Sequence, residues 1–95
     1  MPYRVEIYIG SDNNSRKICK EYIKKIIEWA DVTFPEGYTL LKGEGCYDGI
    51  YEETIIINAL SNYDVSLNGQ LKRLKRELEQ NAILVVKFPT QMETI

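Results

Sequence analysis

Three consecutive isoleucines, Ile55, Ile56 and Ile57, constrain the fold of this 95-residue chain more than any other feature. Because successive side chains of a strand point to opposite faces, this run makes both faces of one strand apolar. Such a strand belongs in the middle of a sheet, where other elements cover it. We therefore predict that residues 51–60 form a central strand, and that the chain is one small domain.

The other apolar patterns complete the element order β-α-β-β-α-β. Period-two alternation predicts strands, and apolar side chains three or four residues apart predict helices. Asn14 or Ser15 is the predicted cap of the first helix, and Asp64 or Ser66 begins the second. The predicted elements are strands at 3–9, 38–44, 51–60 and 82–88, a helix at 16–30, and a helix that carries Leu67, Leu71, Leu74 and Leu78.

This order predicts an α+β fold, the ferredoxin-like β-α-β-β-α-β sandwich. Two right-handed βαβ units that share a hairpin give a four-stranded antiparallel sheet, order 4-1-3-2, with two helices on one face. The other face is left bare and partly apolar. Ile56 must point there with one of two sets from the last strand, Ile83 and Val85 or Leu84, Val86 and Phe88. A patch of this size is typical of a contact surface, so we expect a homo-oligomer, a dimer or trimer, packed through its sheet faces.

The composition excludes several classes of function. The absence of histidine removes His-based catalytic triads, His metal sites and the commonest general base. The net charge of −2 argues against a protein that coats nucleic acid. Two unclustered cysteines, Cys19 and Cys46, exclude a zinc knuckle or a disulfide scaffold. We expect a binding protein with no cofactor and no metal, while enzymatic activity through carboxylates stays open.

The sequence also predicts where the protein resides. MPYRVEIYIG enters a strand-like alternation at once and has no apolar signal core. No apolar run approaches the ~18 residues needed to span a bilayer. We therefore expect a cytoplasmic protein.

The segment KGEGCYDGIYEE, residues 42–53, is the candidate ligand site. Glycines at two positions let backbone N–H groups approach an anion, the lysine supplies charge, and a tyrosine can stack on a planar ring. The alternative is a glycine-kinked hairpin with a purely structural role. The predicted ligand-binding residues are Lys42, Gly43, Glu44, Gly45, Tyr47, Tyr51 and Glu53.

Charged clusters have both a functional and a structural interpretation. Because Glu52 and Glu53 are adjacent on a strand, they point to opposite faces and cannot act as a carboxylate pair. With Glu44 and Asp48 they form a solvated acidic loop or a cation site. A basic face on the first helix is either solvated or a phosphate contact; it comprises Arg16, Lys17, Lys20, Lys24 and Lys25, diluted by Glu21 and Glu28.

A family resemblance covers roughly residues 26–60. Trp29, then FPEGYTL at 34–40, then Gly43-x-Gly45-x-Tyr47, then Glu53 resemble a domain-of-unknown-function family of small bacterial and phage proteins. The family pattern is W, then FP-G-hydroxyl-apolar, then G-x-G-aromatic, then Glu, and it has tryptophan where this chain has Tyr47. The resemblance implies the fold, singles out Glu53 among the acidic residues, and implies no settled activity.

The sequence Lys42-Gly43-Glu44-Gly45 is also similar to the K/R-G-x-G segment of the PII signalling superfamily. Those proteins are trimeric ferredoxin-like domains that hold nucleotides or other anionic metabolites in clefts between subunits. The long mobile loop of that superfamily is missing, since only residues 46–50 separate the two strands. The resemblance implies binding in a cleft of a PII-like oligomer.

Two functional hypotheses follow. The leading one is a non-enzymatic oligomer that binds a small anionic ligand, such as a nucleotide, beside Gly43 and Gly45; in a phage protein it would sequester a signalling nucleotide. The alternative is a protein-interaction module or inhibitor that acts through its apolar sheet face or an edge strand.

Overall fold

A computed structural model describes residues 2–12, 15–61 and 66–95 of the chain. It confirms the α+β class, the element order and a four-stranded antiparallel sheet with two helices. The elements are β1 (Tyr3–Gly10), α1 (Lys20–Thr33), β2 (Thr39–Tyr47), β3 (Ile50–Ser61), α2 (Asn68–Glu77) and β4 (Leu84–Pro89). The sheet order is β2-β3-β1-β4, which is the predicted order 4-1-3-2 read from the opposite edge. This architecture is compatible with a ferredoxin-like fold.

The strand with the three isoleucines lies inside the sheet, as predicted. Ile57 pairs with Ile7 on one side and with Leu40 on the other. One face of the sheet and the buried side chains of both helices form a single apolar cluster. Full burial of each large aliphatic side chain contributes about 1.5–3 kcal/mol, so this cluster is the main source of stability. Its largest fully enclosed side chains are those of Val5, Ile7, Ile9, Ile26, Ile55, Ile57 and Leu74.

The opposite face of the sheet carries the second of the two predicted apolar sets. Tyr8 lies opposite both Ile56 and Leu84, so these three side chains share that face. Val86 and Phe88 follow on the same face of β4, and the Arg4 guanidinium lies 5.6 Å from the centre of the Phe88 ring. Leu41 and Leu60 are half-exposed there. We call this surface the open face.

The hairpin between β2 and β3 is more regular than predicted. The predicted second strand ends at Glu44 and is followed by a loop over 46–50, but β2 continues to Tyr47. Asp48 and Gly49 alone connect the strands, with φ values of 53° and 78°. Both angles are positive, as in the type I′ turn that Asp-Gly favours, because this turn matches the twist of paired strands. The predicted loop was therefore wrong, and Gly43 and Gly45 lie inside a paired strand.

The first helix begins later than predicted. Arg16 has a φ of 58°, which is left-handed and incompatible with a right-handed helix, so α1 begins only at Lys20. The predicted cap at Ser15 was wrong, since its hydroxyl instead accepts a hydrogen bond from the Lys17 N–H at 3.2 Å. The other predicted cap, Asn14, lies outside the described residues, as does Asp64 of the second helix. Ser66 precedes α2, which begins at Asn68 after Leu67.

Residues of the family-like pattern serve the core and a turn. The rings of Trp29 and Phe34 meet edge to face, with centroids 6.0 Å apart, and both are buried. The indole N–H of Trp29 donates to the Gln70 carbonyl at 3.0 Å. Gly37 has a φ of 134°, which favours glycine. These residues position α1 against α2 and turn the chain into β2.

Neither helix among the described residues is long and apolar enough to cross a membrane.

Candidate functional site

A groove runs between the segment that precedes α1 and the β2–β3 hairpin. Its volume is about 340 Å³. A second depression of about 190 Å³ shares Arg16 and Glu52 with it and adds Tyr47 and Ile50. We call the two together the hairpin groove. The larger part is lined by Arg16, Lys17, Glu44, Tyr51, Glu52 and Glu53.

Arg16 is fixed in the groove wall by its own backbone. Its N–H donates to the Asp12 carbonyl at 2.8 Å, and its carbonyl accepts from the Glu53 N–H at 3.3 Å. The Asp12 carboxylate also accepts from the Ser15 N–H at 3.0 Å. The left-handed conformation is energetically unfavourable for arginine. These hydrogen bonds therefore hold the loop against β3 at a local cost in backbone free energy. The result is a cationic wall facing the acidic end of the hairpin.

Lys42 and Glu53 form an ion pair across the hairpin. The Lys42 ammonium nitrogen lies 3.0 Å from a Glu53 carboxylate oxygen, and the two side chains are 54% and 29% exposed. Glu53 lines the groove, whereas Lys42 adjoins it only through this ion pair. Lys42 thus offsets one carboxylate of the groove.

The two glycines of the hairpin differ in their surroundings. A Cβ atom on Gly45 would lie 2.7 Å from the Thr54 hydroxyl oxygen, whereas one on Gly43 would meet nothing within 4 Å. Neither glycine has a positive φ, and neither lines the groove. Close approach of Thr54 therefore gives Gly45 a structural reason to be glycine.

Glu52 is held by the end of β1. The Ser11 hydroxyl donates to a Glu52 carboxylate oxygen at 3.0 Å, and the other carboxylate oxygen lies over Gly10. Glu52 and Glu53 therefore have different partners, although both line the larger part of the groove.

A polar network that no local sequence pattern predicts joins the end of β1 to Tyr22 and Gln80. The Tyr22 hydroxyl donates to the Gly10 carbonyl. The Gln80 amide donates to the Ser11 carbonyl at 2.6 Å and to the Tyr22 hydroxyl at 2.9 Å. Burial, with the nearby carboxylates of Asp12 and Glu52 assisting, raises the pKa of Tyr22 to about 12. Tyr22 is therefore a neutral hydrogen-bond donor at physiological pH.

Two tyrosine rings of the hairpin are largely open to solvent. Tyr51 lines the larger part of the groove and is 74% exposed, and Tyr47 lines the smaller part and is 82% exposed. Both rings are therefore available to stack on a planar ring of a ligand, because covering an exposed aromatic ring with apolar or aromatic surface is favourable.

The structure brings together only part of the predicted site. Glu44, Tyr51 and Glu53 line the larger part of the hairpin groove, and Tyr47 lines the smaller part. Arg16 and Lys17 were assigned to a helix face and instead lie in the groove wall. Across the described residues, no group of three or more acidic or cysteine side chains is placed to hold a metal ion.

Comparison with known proteins bears on the fold. No family model matches the chain. No curated protein matches it either. One similar solved structure is a phage SAM lyase in complex with S-methyl-5′-thioadenosine, with a TM-score of 0.65, 14% identity, and coverage of 92% of this chain and 80% of that one. Another is the de novo designed protein Foldit4, with a TM-score of 0.59, 17% identity, and coverage of 96% of this chain and 100% of that one. At these identities the likeness shows the fold alone.

Proposed function

We propose that this chain is a non-enzymatic binding protein for a small anionic ligand with a planar ring, a nucleotide being the favoured case. The ligand would lie in the hairpin groove. The observation that carries the proposal is the position of Arg16 and Lys17. Both line the groove, and neither has an ion-pair partner within the described residues. Two cations without partners in a concave site are the groups that recognise a phosphate or carboxylate.

The carboxylates of the groove are compatible with an anionic ligand. Glu53 is offset by Lys42, and Glu52 accepts a hydrogen bond from Ser11. Glu44 and Glu52 line the groove as acceptors. Ligand hydroxyl or amino groups donate to such carboxylates, while the ligand's anionic group is directed toward Arg16 and Lys17. A nucleotide carries all of these groups.

Tyr51 supplies the surface for the planar ring. Stacking of a base on an aromatic side chain contributes about 1–3 kcal/mol by alanine substitution. The phage SAM lyase with a similar fold holds S-methyl-5′-thioadenosine, which supports an adenine nucleoside as the first class to test. On this proposal the protein is a PII-like oligomer, and a phage-encoded copy would sequester a signalling nucleotide.

Thermal unfolding in the presence of nucleotides tests this function. The full chain is heated alone and with adenosine 5′-monophosphate, cyclic adenosine monophosphate or S-methyl-5′-thioadenosine. A ligand at 100 times its Kd stabilises the folded protein by about 2.7 kcal/mol, so its Tm rises measurably. The absence of any Tm increase with both nucleotides contradicts the proposal, whatever the effect of S-methyl-5′-thioadenosine, which has no anionic group.

The open face supports a second candidate function, a protein-interaction module or inhibitor. Its exposed apolar side chains include Leu41, Leu60, Leu84 and Val86. Apolar side chains that gather on one face of a sheet are typical of a protein contact. A monomer with this face free favours the interaction module, whereas a dimer or trimer that covers it favours the oligomeric binding protein. Light scattering coupled to size exclusion distinguishes them.

A further inference from the structure

Ser11 is the one fully buried polar residue among those the structure describes, and its hydroxyl is hydrogen-bonded to Glu52. Its exposed fraction is 0%. A buried hydroxyl is tolerated only where it is hydrogen-bonded, and this one donates to a Glu52 carboxylate oxygen at 3.0 Å. Glu52 also reaches the groove. The core therefore contributes a buried donor to a single groove carboxylate.

Gly10 provides the space for the same carboxylate. A Cβ atom at Gly10 would lie 2.8 Å from the Glu52 Oε1 atom and 3.3 Å from its Cδ atom. The φ of Gly10 is not positive, so the backbone conformation does not require glycine there. Close approach of the carboxylate accounts for the glycine instead.

The backbone around these two residues is fixed by side chains from elsewhere in the fold. The Gly10 carbonyl accepts from Tyr22 of α1, and the Ser11 carbonyl accepts from Gln80, which follows α2. Gln80 also donates to Tyr22 and closes the network. Glu52 has no ion-pair partner in the described part of the chain. A hydrogen bond and close packing therefore fix the position of the Glu52 carboxylate, although no cation of the described residues forms an ion pair with it.

We propose that Glu52 recognises the sugar hydroxyls of the ligand, which makes the groove specific for a ribonucleotide over its dideoxy analogue. The inference rests on the proposed function and names its ligand class. A carboxylate only accepts hydrogen bonds, and two adjacent hydroxyls can donate to its two oxygens. The same charge repels a phosphate, so the anionic group is directed to Arg16 and Lys17. Ser11 and Gly10 are positioning residues that act through Glu52.

Isothermal titration with two probes tests this specificity. Adenosine 5′-monophosphate and its 2′,3′-dideoxy analogue are titrated into wild type, Glu52→Ala, Ser11→Ala and the control Glu28→Ala. Glu28 is an exposed carboxylate of α1 that does not line the groove. Wild type and the control should bind the ribonucleotide about tenfold or more tightly than the dideoxy analogue, because the analogue lacks the hydroxyls that donate to the charged carboxylate. Glu52→Ala binds both probes alike, and Ser11→Ala has a reduced preference.

The ratio of the two affinities distinguishes recognition from a structural effect. A merely structural role for Glu52 or Ser11 lowers both affinities and leaves their ratio unchanged, which overturns the inference. Equal binding of both probes by wild type also overturns it, while nucleotide binding itself stands. If neither probe binds any protein, the proposed function fails and the inference with it. If Glu52→Ala does not fold, Glu52→Gln replaces it, and an undiminished preference in that variant counts against the proposal.

Discussion

The Lys42 ammonium nitrogen lies 3.0 Å from a carboxylate oxygen of Glu53, across the hairpin that borders the groove. Both side chains are partly exposed, so water screens the pair, and such pairs contribute about 0–1 kcal/mol. We predict that Lys42→Ala and Glu53→Gln each change the free energy of unfolding by no more than about 1 kcal/mol in urea titrations. Lys42→Ala should nevertheless weaken binding of adenosine 5′-monophosphate, because it leaves the Glu53 carboxylate of the groove without its counter-charge, whereas Glu53→Gln removes that negative charge and should not weaken binding. Outright unfolding of both variants would make the pair structural, and unaltered affinity in Lys42→Ala would remove it from the site.

Gly45 and Gly43 offer a matched pair of substitutions in one strand. A side chain at Gly45 meets the Thr54 hydroxyl, whereas Gly43 has open space. We predict that Gly45→Val lowers the free energy of unfolding by about 1–3 kcal/mol, as overpacking does. Gly43→Val should have an effect within about 0.5 kcal/mol, since it touches nothing. Chemical denaturation measures both. Adding Thr54→Ala removes the clash and should reduce the difference in unfolding free energy between the two variants. Equal losses of stability for Gly45→Val and Gly43→Val would disprove the explanation.

Tyr22 makes the stability depend on pH in the alkaline range. Its pKa is about 12 in the folded protein and 10.0 in the unfolded chain. Above pH 10 the unfolded chain therefore loses a proton that the folded protein keeps, and the stability due to Tyr22 falls as the pH rises toward 12.

The variant Tyr22→Phe isolates this contribution. At pH 7 it should be less stable than wild type by about 1–2 kcal/mol, because two hydrogen bonds are lost, the one that Tyr22 donates to the Gly10 carbonyl and the one that it accepts from Gln80. The difference should shrink as the pH rises through 10. Tyr8 and Tyr38, whose pKa values are also raised, titrate in both proteins and cancel. A difference that stays constant from pH 7 to pH 11 would contradict the assigned pKa.

The open face predicts self-association that a charge would disrupt. Leu84 is 61% exposed on β4, and Val32, an apolar residue of α1, is 73% exposed on the helix side. If copies pack through their sheets, Leu84→Lys should reduce the mass in solution to that of a monomer, whereas Val32→Lys should leave it unchanged. Sedimentation equilibrium measures both. An oligomer that survives Leu84→Lys but not Val32→Lys would place the contact on the helices.

The sequence was informative where a local pattern reports on burial. Ile55, Ile56 and Ile57 required a strand with two apolar faces, and the element order followed from periodicity. The contact of Lys42 with Glu53 across the hairpin can also be predicted from the sequence, because it depends on strand pairing. Asp48-Gly49 carried an unused signal, since Asp-Gly favours the tight turn that replaces the predicted loop.

The rest of the site depends on contacts between distant residues. Ser11 and Glu52 are separated by 41 positions, and Ser11 and Gln80 by 69. No local pattern predicts such hydrogen bonds, because tertiary packing decides which polar groups become enclosed together. Arg16 was assigned to a helix because its neighbours fit the helical period, while its left-handed conformation is held by Asp12 and β3.

Titration calorimetry with adenosine 5′-monophosphate on charge-matched variants tests the central claim most directly. Arg16→Gln/Lys17→Gln removes the two groove cations, and Lys20→Gln/Lys24→Gln removes two exposed cations of α1 that do not line the groove. We predict that wild type and the α1 variant bind with similar affinity, and that the groove variant binds at least about tenfold more weakly. Equal weakening in both variants, or no binding by wild type, would contradict a nucleotide site in the hairpin groove.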